Sequence, residues 1–177
     1  TGKILEKGKV EVIASDGKQQ ILESEHILVA TGCKTREFPD LPFNGLSVVG
    51  SSEAMVMENQ PKDIIIIGAG AIGVEFAYFF NAFGTKVTIV EMMPNILPVE
   101  DHEVSVELEK SFKKSGIEIL SSTKVVGTKD LGNGVEITIQ EEGSDPRTLS
   151  SEVALIAIGV APVLPADFTM DLDRGYI

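Results

Sequence analysis

Three glycines and one acid, Gly68, Gly70, Gly73 and Glu91, stand at a spacing that can hold a phosphorylated ligand. Where a strand turns into a helix, the first glycine adopts a dihedral that other residues resist. The second lets a pyrophosphate approach the backbone with no Cβ in the way, and the third lets helix and strand pack closely. Phosphates then meet the free N–H groups and positive dipole end of a helix beginning near Ala71, so the binding segment runs Gly68, Ala69, Gly70, Ala71, Ile72, Gly73, Val74 and needs no lysine or arginine. Glycines near helix starts also serve packing alone. Here a preceding strand, a following helix and an acid about 20 residues further on occur together, as dinucleotide binding requires.

Glu91 closes the second strand, where a carboxylate can accept hydrogen bonds from the adenosine ribose hydroxyls. A 2′-phosphate would meet like charge there, and Met92-Met93-Pro94-Asn95 offers no arginine to receive it, so NAD is favoured over NADP. Glu75 reads as lying in the first helical turn, where a carboxylate gains from the dipole whatever its role. Cys33 is the one cysteine, which excludes an intrachain disulfide and a multi-cysteine zinc site, and a lone cysteine after a strand is more often packed than reactive. His26 and His102 stand apart from each other and from Cys33. Glu100, Asp101 and Glu103 read as helix N-terminal acids rather than a metal cluster, and no metal site is expected.

The elements that must position these residues follow from periodicity. Val10–Ala14 and Gln20–Leu22 alternate about Asp16-Gly17 as a hairpin, and His26–Ala30 reads as a buried strand. A linker is expected over Pro39–Gly50, then a helix start at Ser51-Ser52-Glu53. A β-α-β unit follows: strand Ile64–Ile67, helix Ala71–Phe83 with Ile72, Phe76, Phe79, Phe80 and Phe83 at helical spacing, and strand Lys86–Val90. Asp101 can cap a helix running to Ser115 with Val104, Leu108 and Phe112 as its core stripe, before a third parallel strand at Ile117–Leu120. Lys124–Leu131 and Val135–Glu141 flank Gly132-Asn133-Gly134 as an antiparallel hairpin, Thr148–Ser150 adds an edge, and Val153–Ile158 is again buried. The expected fold is α/β: a Rossmann-like domain with a parallel sheet, crossover helices and an inserted antiparallel hairpin or meander, together with a smaller β-rich part.

At 177 residues the chain can bury one sizeable core and part of another. A net charge of −12 argues against nucleic acid and anionic membrane surfaces as partners, and no apolar run is long enough to span a bilayer. The chain opens on Thr1 and closes just after Arg174-Gly175-Tyr176, which reads as part of a longer protein.

The stretches IIIIGAGAIGVEFAYFFNAFGTKVTIVE, ILPVEDHEVSVELEKSFKKSGIEI, ILVATGCKTREFP and ALIAIGVAPVLP, in this order, resemble the pyridine nucleotide-disulfide oxidoreductases across essentially the whole chain. The resemblance implies that residues 1–45 are the end of an FAD-binding domain, 46–165 an NAD-binding Rossmann-like domain, and 166–177 the start of a return to the FAD domain. It implies NAD contacts at the glycine turn, at Glu91, at Glu75 near the nicotinamide, at the Val125 backbone near the adenine, and at Gly159 closing over the nucleotide. It implies FAD contacts at Gly2, Thr31, Gly32 and Cys33, position 33 usually being a small hydroxyl residue. The family's redox cysteine pair and His-Glu pair have no counterpart here, so the chain resembles the NAD-holding station of a flavoenzyme that passes electrons from dihydrolipoamide through a disulfide and FAD to NAD. Related enzymes acting on peroxide, oxygen, mercuric ion or coenzyme A disulfide share this domain, and a free-standing nucleotide-binding module stays open beside them. A homodimer, membership of a 2-oxo acid dehydrogenase complex, and a cytoplasmic or mitochondrial-matrix location are further implications.

Overall fold

The structure, a computed structural model, describes residues 1–38, 40–165, 168 and 171–174. The chain divides into two compact units, one of residues 1–34 and 160–177, the other of residues 35–159. The expected return segment 166–177 lies largely outside the described residues.

In the first unit, β1 (Gly2–Glu6), β2 (Lys9–Ile13) and β3 (Gln19–Glu23) form an antiparallel meander. The β2–β3 turn is the expected Asp-Gly turn: Gly17 takes φ 81°, and Asp16 Oδ1 accepts the Lys18 N–H at 3.1 Å. No described residue of this unit is fully buried. The buried strand expected over His26–Ala30 is therefore not found, and Leu28 is 92% exposed. An apolar run becomes a buried strand only when neighbours pair its edges and cover its faces. No strand of the described residues pairs with this one. Beyond it lies β4 (Cys33–Thr35).

The second unit is built on a five-stranded parallel sheet. Its strands are β5 (Val48–Val49), β6 (Asp63–Ile67), β7 (Lys86–Val90), β8 (Glu118–Leu120) and, after an antiparallel meander of β9 (Thr123–Asp130), β10 (Val135–Glu141) and β11 (Arg147–Ser151), β12 (Val153–Ile156). The order across the sheet is β5-β12-β6-β7-β8. Helices α1 (Ser51–Ala54), α2 (Ala71–Ala82) and α3 (His102–Lys114) connect the strands, and Asp101 caps α3 by accepting the Glu103 N–H at 2.8 Å. The last strand, β13 (Val160–Pro162), pairs with β4.

Side-chain alternation along β6 explains its unbroken apolar run. Ile64 and Ile66 face one way and pack with α1, α2, α3 and the facing residues of β7 and β12. Ile65 and Ile67 face the other way, against Val135, Ile137 and Ile139 of β10 and Leu41. All three helices thus cover one face of the parallel sheet and the inserted meander covers the other. A strand buried on both faces reads as continuous rather than alternating hydrophobicity.

On two helices the packing differs from what apolar spacing predicts. The residues of α2 that bury are Gly73, Val74, Ala77 and Phe80, while Phe79 and Phe83, placed with Phe80 at helical spacing, are 51% and 65% exposed. The approach is close at the helix start, where a Cβ on Gly73 would lie 2.1 Å from the Gly68 carbonyl oxygen, while two turns on along the same face Phe80 enters the core and the rings of Phe79 and Phe83 lie to its flanks. On α3, Phe112 is buried and Leu108 packs partly against the core, but Val104 is 53% exposed and Ser105 takes the inward position, its hydroxyl donating to Leu97 O at 3.2 Å.

Of the linker expected over Pro39–Gly50, the described residues 40–50 are more ordered than their composition indicates. Asn44 Oδ1 accepts the N–H groups of Leu46, Ser47 and Val48 at 2.9, 3.0 and 2.9 Å. Its Nδ2 donates to Asp130 Oδ2 at 2.7 Å and to Ser47 Oγ at 2.9 Å. This fastens the segment to the meander and delivers Val48 and Val49, fully buried, as the edge strand beside β12.

Candidate functional site

The carboxyl ends of β6, β7 and β12 lie level, with Ile67 opposite both Val90 and Ile156. Beyond these ends opens a cleft of about 640 Å³ within the second unit. This is where parallel α/β sheets place their ligands, because the loops leaving the strands diverge there and helix N-termini face the gap.

Gly68 takes φ 102°, and a Cβ on it would come within 2.5 Å of the Ala157 carbonyl oxygen. No L-residue with a side chain fits that turn without displacing β12's end. Gly70 is the N-cap of α2 with φ −69°, and a Cβ there would meet nothing within 4 Å. It therefore borders open space, whereas Gly68 and Gly73 are held by packing. The opening N–H groups of α2 have no intrahelical acceptor.

Glu91 is buried, 6% exposed, and both of its carboxylate oxygens are engaged. Oε2 accepts the Ala69 N–H at 2.7 Å and Oε1 accepts the Met93 N–H at 2.8 Å. The acid thus ties the glycine turn to the loop after β7. An ionised carboxylate oxygen carries a second lone-pair direction, so each can still accept from a ligand hydroxyl. The Glu91 backbone is equally fixed: its N–H donates to Leu120 O and its carbonyl accepts the Thr123 N–H, both at 2.9 Å. Two further bonds brace the rim, Leu97 N–H to Ala69 O at 2.8 Å and Ser122 N–H to Met93 O at 2.9 Å.

Of the residues predicted from sequence, Gly68, Gly70, Ala71, Ile72, Glu91, Val125 and Gly159 line this one cleft. Ala69, Gly73 and Val74 sit behind it in the core. Glu75 is exposed on α2 and does not line the cleft. It is the fifth residue of the helix, and the first turn holds no acid, so the dipole reason given for it does not apply. Gly2, Thr31, Gly32 and Cys33 belong to the first unit. There the Thr31 hydroxyl donates to Val163 O, Val163 N–H donates to Gly32 O at 2.9 Å, and Cys33 is exposed. The Thr31 hydroxyl and the Gly32 carbonyl are thus both engaged by Val163.

Sequence reasoning missed Met92, Met93, Pro98, Lys124, Ile158 and Phe38 as cleft residues. The five other than Phe38 shared a signal of position, each lying within a few residues of a strand's carboxyl end or in a loop returning to one. Only Phe38, which arrives from outside the β-α-β unit, carried no such signal.

The pyridine nucleotide-disulphide oxidoreductase family model matches residues 1–177. The chain belongs to this family. Among its members, a dihydrolipoyl dehydrogenase from Chlorobaculum tepidum is 36% identical over 98% of the chain and 41% of its own length. The dihydrolipoyl dehydrogenase of Mycobacterium tuberculosis strain H37Rv is 43% identical over 84% of the chain and 32% of its own length. Of solved family structures, LpdA from Mycobacterium tuberculosis superposes with a TM-score of 0.80 at 27% identity, covering 94% of the chain and 36% of that protein. The HOCl-induced flavoprotein disulfide reductase RclA from Escherichia coli gives 0.71 at 27% identity, covering 92% and 35%. The chain thus spans about two fifths or less of the length of these pyridine nucleotide-disulphide oxidoreductases.

Proposed function

We propose that this chain is the NAD(H)-binding part, with flanking FAD-domain residues, of a flavin-dependent dihydrolipoamide dehydrogenase. The observation that carries the reading is the joint geometry of the glycine turn and Glu91: an open N-cap at Gly70 and a fixed carboxylate border the same cleft. The opening amides of α2 would receive the pyrophosphate, Glu91 the adenosine ribose hydroxyls, and the Val125 backbone and Gly159 the adenine side and the closing contact. Glu75 would serve the nicotinamide end from outside the cleft. NAD, when bound, supplies the hydride acceptor; the residues of this chain bind and orient it.

The dithiol chemistry needs a cysteine pair, and Cys33 is alone. The chain by itself is therefore expected to bind NAD without turnover. The whole protein would be a homodimer using FAD, at Gly2, Thr31, Gly32 and Cys33 among other contacts, and a component of a 2-oxo acid dehydrogenase complex in the cytoplasm or mitochondrial matrix. The likeness to RclA keeps a second reading in view, that of another flavoprotein disulfide reductase with the same nucleotide cleft. Among the described residues no helix is long and apolar enough to cross a membrane.

Isothermal calorimetry with NAD tests the binding reading. Binding at submillimolar to millimolar NAD is expected, with NADP weaker. A folded sample that takes up no NAD at millimolar concentration would falsify it.

A further inference from the structure

One cation borders the cleft. Among the lining residues Lys124 is the one lysine or arginine and Glu91 the one acid. The two are neighbours through the backbone, because the Thr123 N–H donates to the Glu91 carbonyl and β9 carries Lys124 onward from that bond. Their side chains are nonetheless separate. The Glu91 carboxylate is buried and held by two amides. Lys124 is exposed, and its ammonium makes no hydrogen bond or ion pair among the described residues. In a chain of net charge −12 an unpaired lysine at the lip of a cleft is a local reversal of the field that an anionic ligand meets.

We infer that Lys124 is a second specificity-determining residue of the cleft, set against Glu91, and that it gives the site a residual affinity for 2′-phosphorylated adenosine. The inference rests on the reading that the cleft holds the adenosine half of a dinucleotide. A ribose 2′-hydroxyl is served by the fixed carboxylate. A 2′-phosphate is repelled by that carboxylate, which cannot withdraw, and attracted by an ammonium on a flexible four-carbon stem, which can follow it. The preference for NAD over NADP is then set by both charges. Removing the lysine sharpens the preference rather than abolishing binding.

The test is a calorimetric titration of the wild-type chain, Lys124→Ala and Lys124→Arg with 5′-AMP and with 2′,5′-ADP, at low and high salt. Lys124→Ala should weaken 2′,5′-ADP about tenfold at low salt while changing 5′-AMP less than about twofold, the scale of one partly screened charge pair. The difference should shrink at high salt, and Lys124→Arg should retain 2′,5′-ADP binding. Equal losses for both ligands, no loss for either, or wild-type binding of 5′-AMP with none of 2′,5′-ADP would each overturn the role of Lys124. A folded wild-type chain that binds neither ligand overturns instead the nucleotide reading on which the inference stands.

Discussion

The Glu91 carboxylate holds the Ala69 N–H at 2.7 Å, joining the end of β7 to the glycine turn that follows β6. With its other oxygen on the Met93 N–H at 2.8 Å, the same group fixes the loop beyond. Glu91→Gln would keep one acceptor and turn the other position into a donor facing an amide N–H. Leaving a buried donor unsatisfied costs about 1–3 kcal/mol. The midpoint of urea unfolding should therefore fall with an unchanged slope, and NAD affinity should fall with it. An unchanged midpoint would mean that the acid serves only the ligand.

The three glycines of the turn should separate into two kinds when each is replaced by alanine. Gly73→Ala drives a methyl to within 2.1 Å of the Gly68 carbonyl oxygen, and Gly68→Ala drives one to within 2.5 Å of Ala157 O at a φ of 102°. Overpacking of this sort costs about 1–3 kcal/mol, and backbone strain adds to the Gly68 change. Gly70→Ala places its methyl in open space at an ordinary φ, so thermal unfolding should show a loss of no more than about 1 kcal/mol. Its defect should appear in nucleotide titration instead, since the methyl enters the cleft. Equal destabilisation by all three would contradict this division.

The clamp between Asn44 and Asp130 predicts a pH dependence. The Gly132 N–H, with Asn44 and Ser47 beside it, holds the Asp130 carboxyl below the usual aspartate range. A carboxyl whose pKa is lowered by folding stabilises the native state at pH values above its unfolded value, about 3.9. That contribution begins to shrink below this pH and is gone once the pH has fallen through the lowered native value. Wild type should thus exceed Asp130→Asn in stability at neutral pH, and the two unfolding midpoints should converge in acid below about pH 4. Curves that stay parallel throughout would show that the ionised form contributes nothing.

How much of this was legible beforehand depended on whether the deciding contacts are local. The β-α-β unit from Asp63 to Val90, the Asp101 cap and the Gly132-Asn133-Gly134 hairpin follow from short-range pattern and turn chemistry, and they stand where the sequence places them. The glycine turn and Glu91, read from the same local pattern, border one cleft, and Val125 and Gly159, which only the family resemblance singled out, line it as well. The meander's position over the second face of the sheet was not readable, because Ile137 and Ile139 meet Ile65 and Ile67 only across some seventy residues of chain. Asn44 looked like a loop residue for the same reason, its partner Asp130 being 86 positions away. His26–Ala30 reads as a strand only if something pairs with it, and composition cannot supply the pair.

The inner face of α2 provides the last test, because periodicity and structure disagree about it. Phe80 and Phe83 are both apolar, on the same helix and one turn apart, and hydrophobic spacing treats them alike. Phe80 is 3% exposed and packs with Val74 and Ala77 in the core between helix and sheet; Phe83 is 65% exposed at the helix end, its ring 4.9 Å from that of Phe79. Removing a buried phenylalanine forfeits both its transfer free energy and the packing around the cavity left behind, so Phe80→Ala should cost about 3–5 kcal/mol. Phe83→Ser removes a ring that is mostly in water already and should change stability by no more than about 1 kcal/mol, the loss being its contact with Phe79. Chemical denaturation of the two variants side by side decides it. Comparable losses would place Phe83 in the core, as its spacing indicates, and would contradict the division between the buried ring of Phe80 and the solvent-facing rings of Phe79 and Phe83.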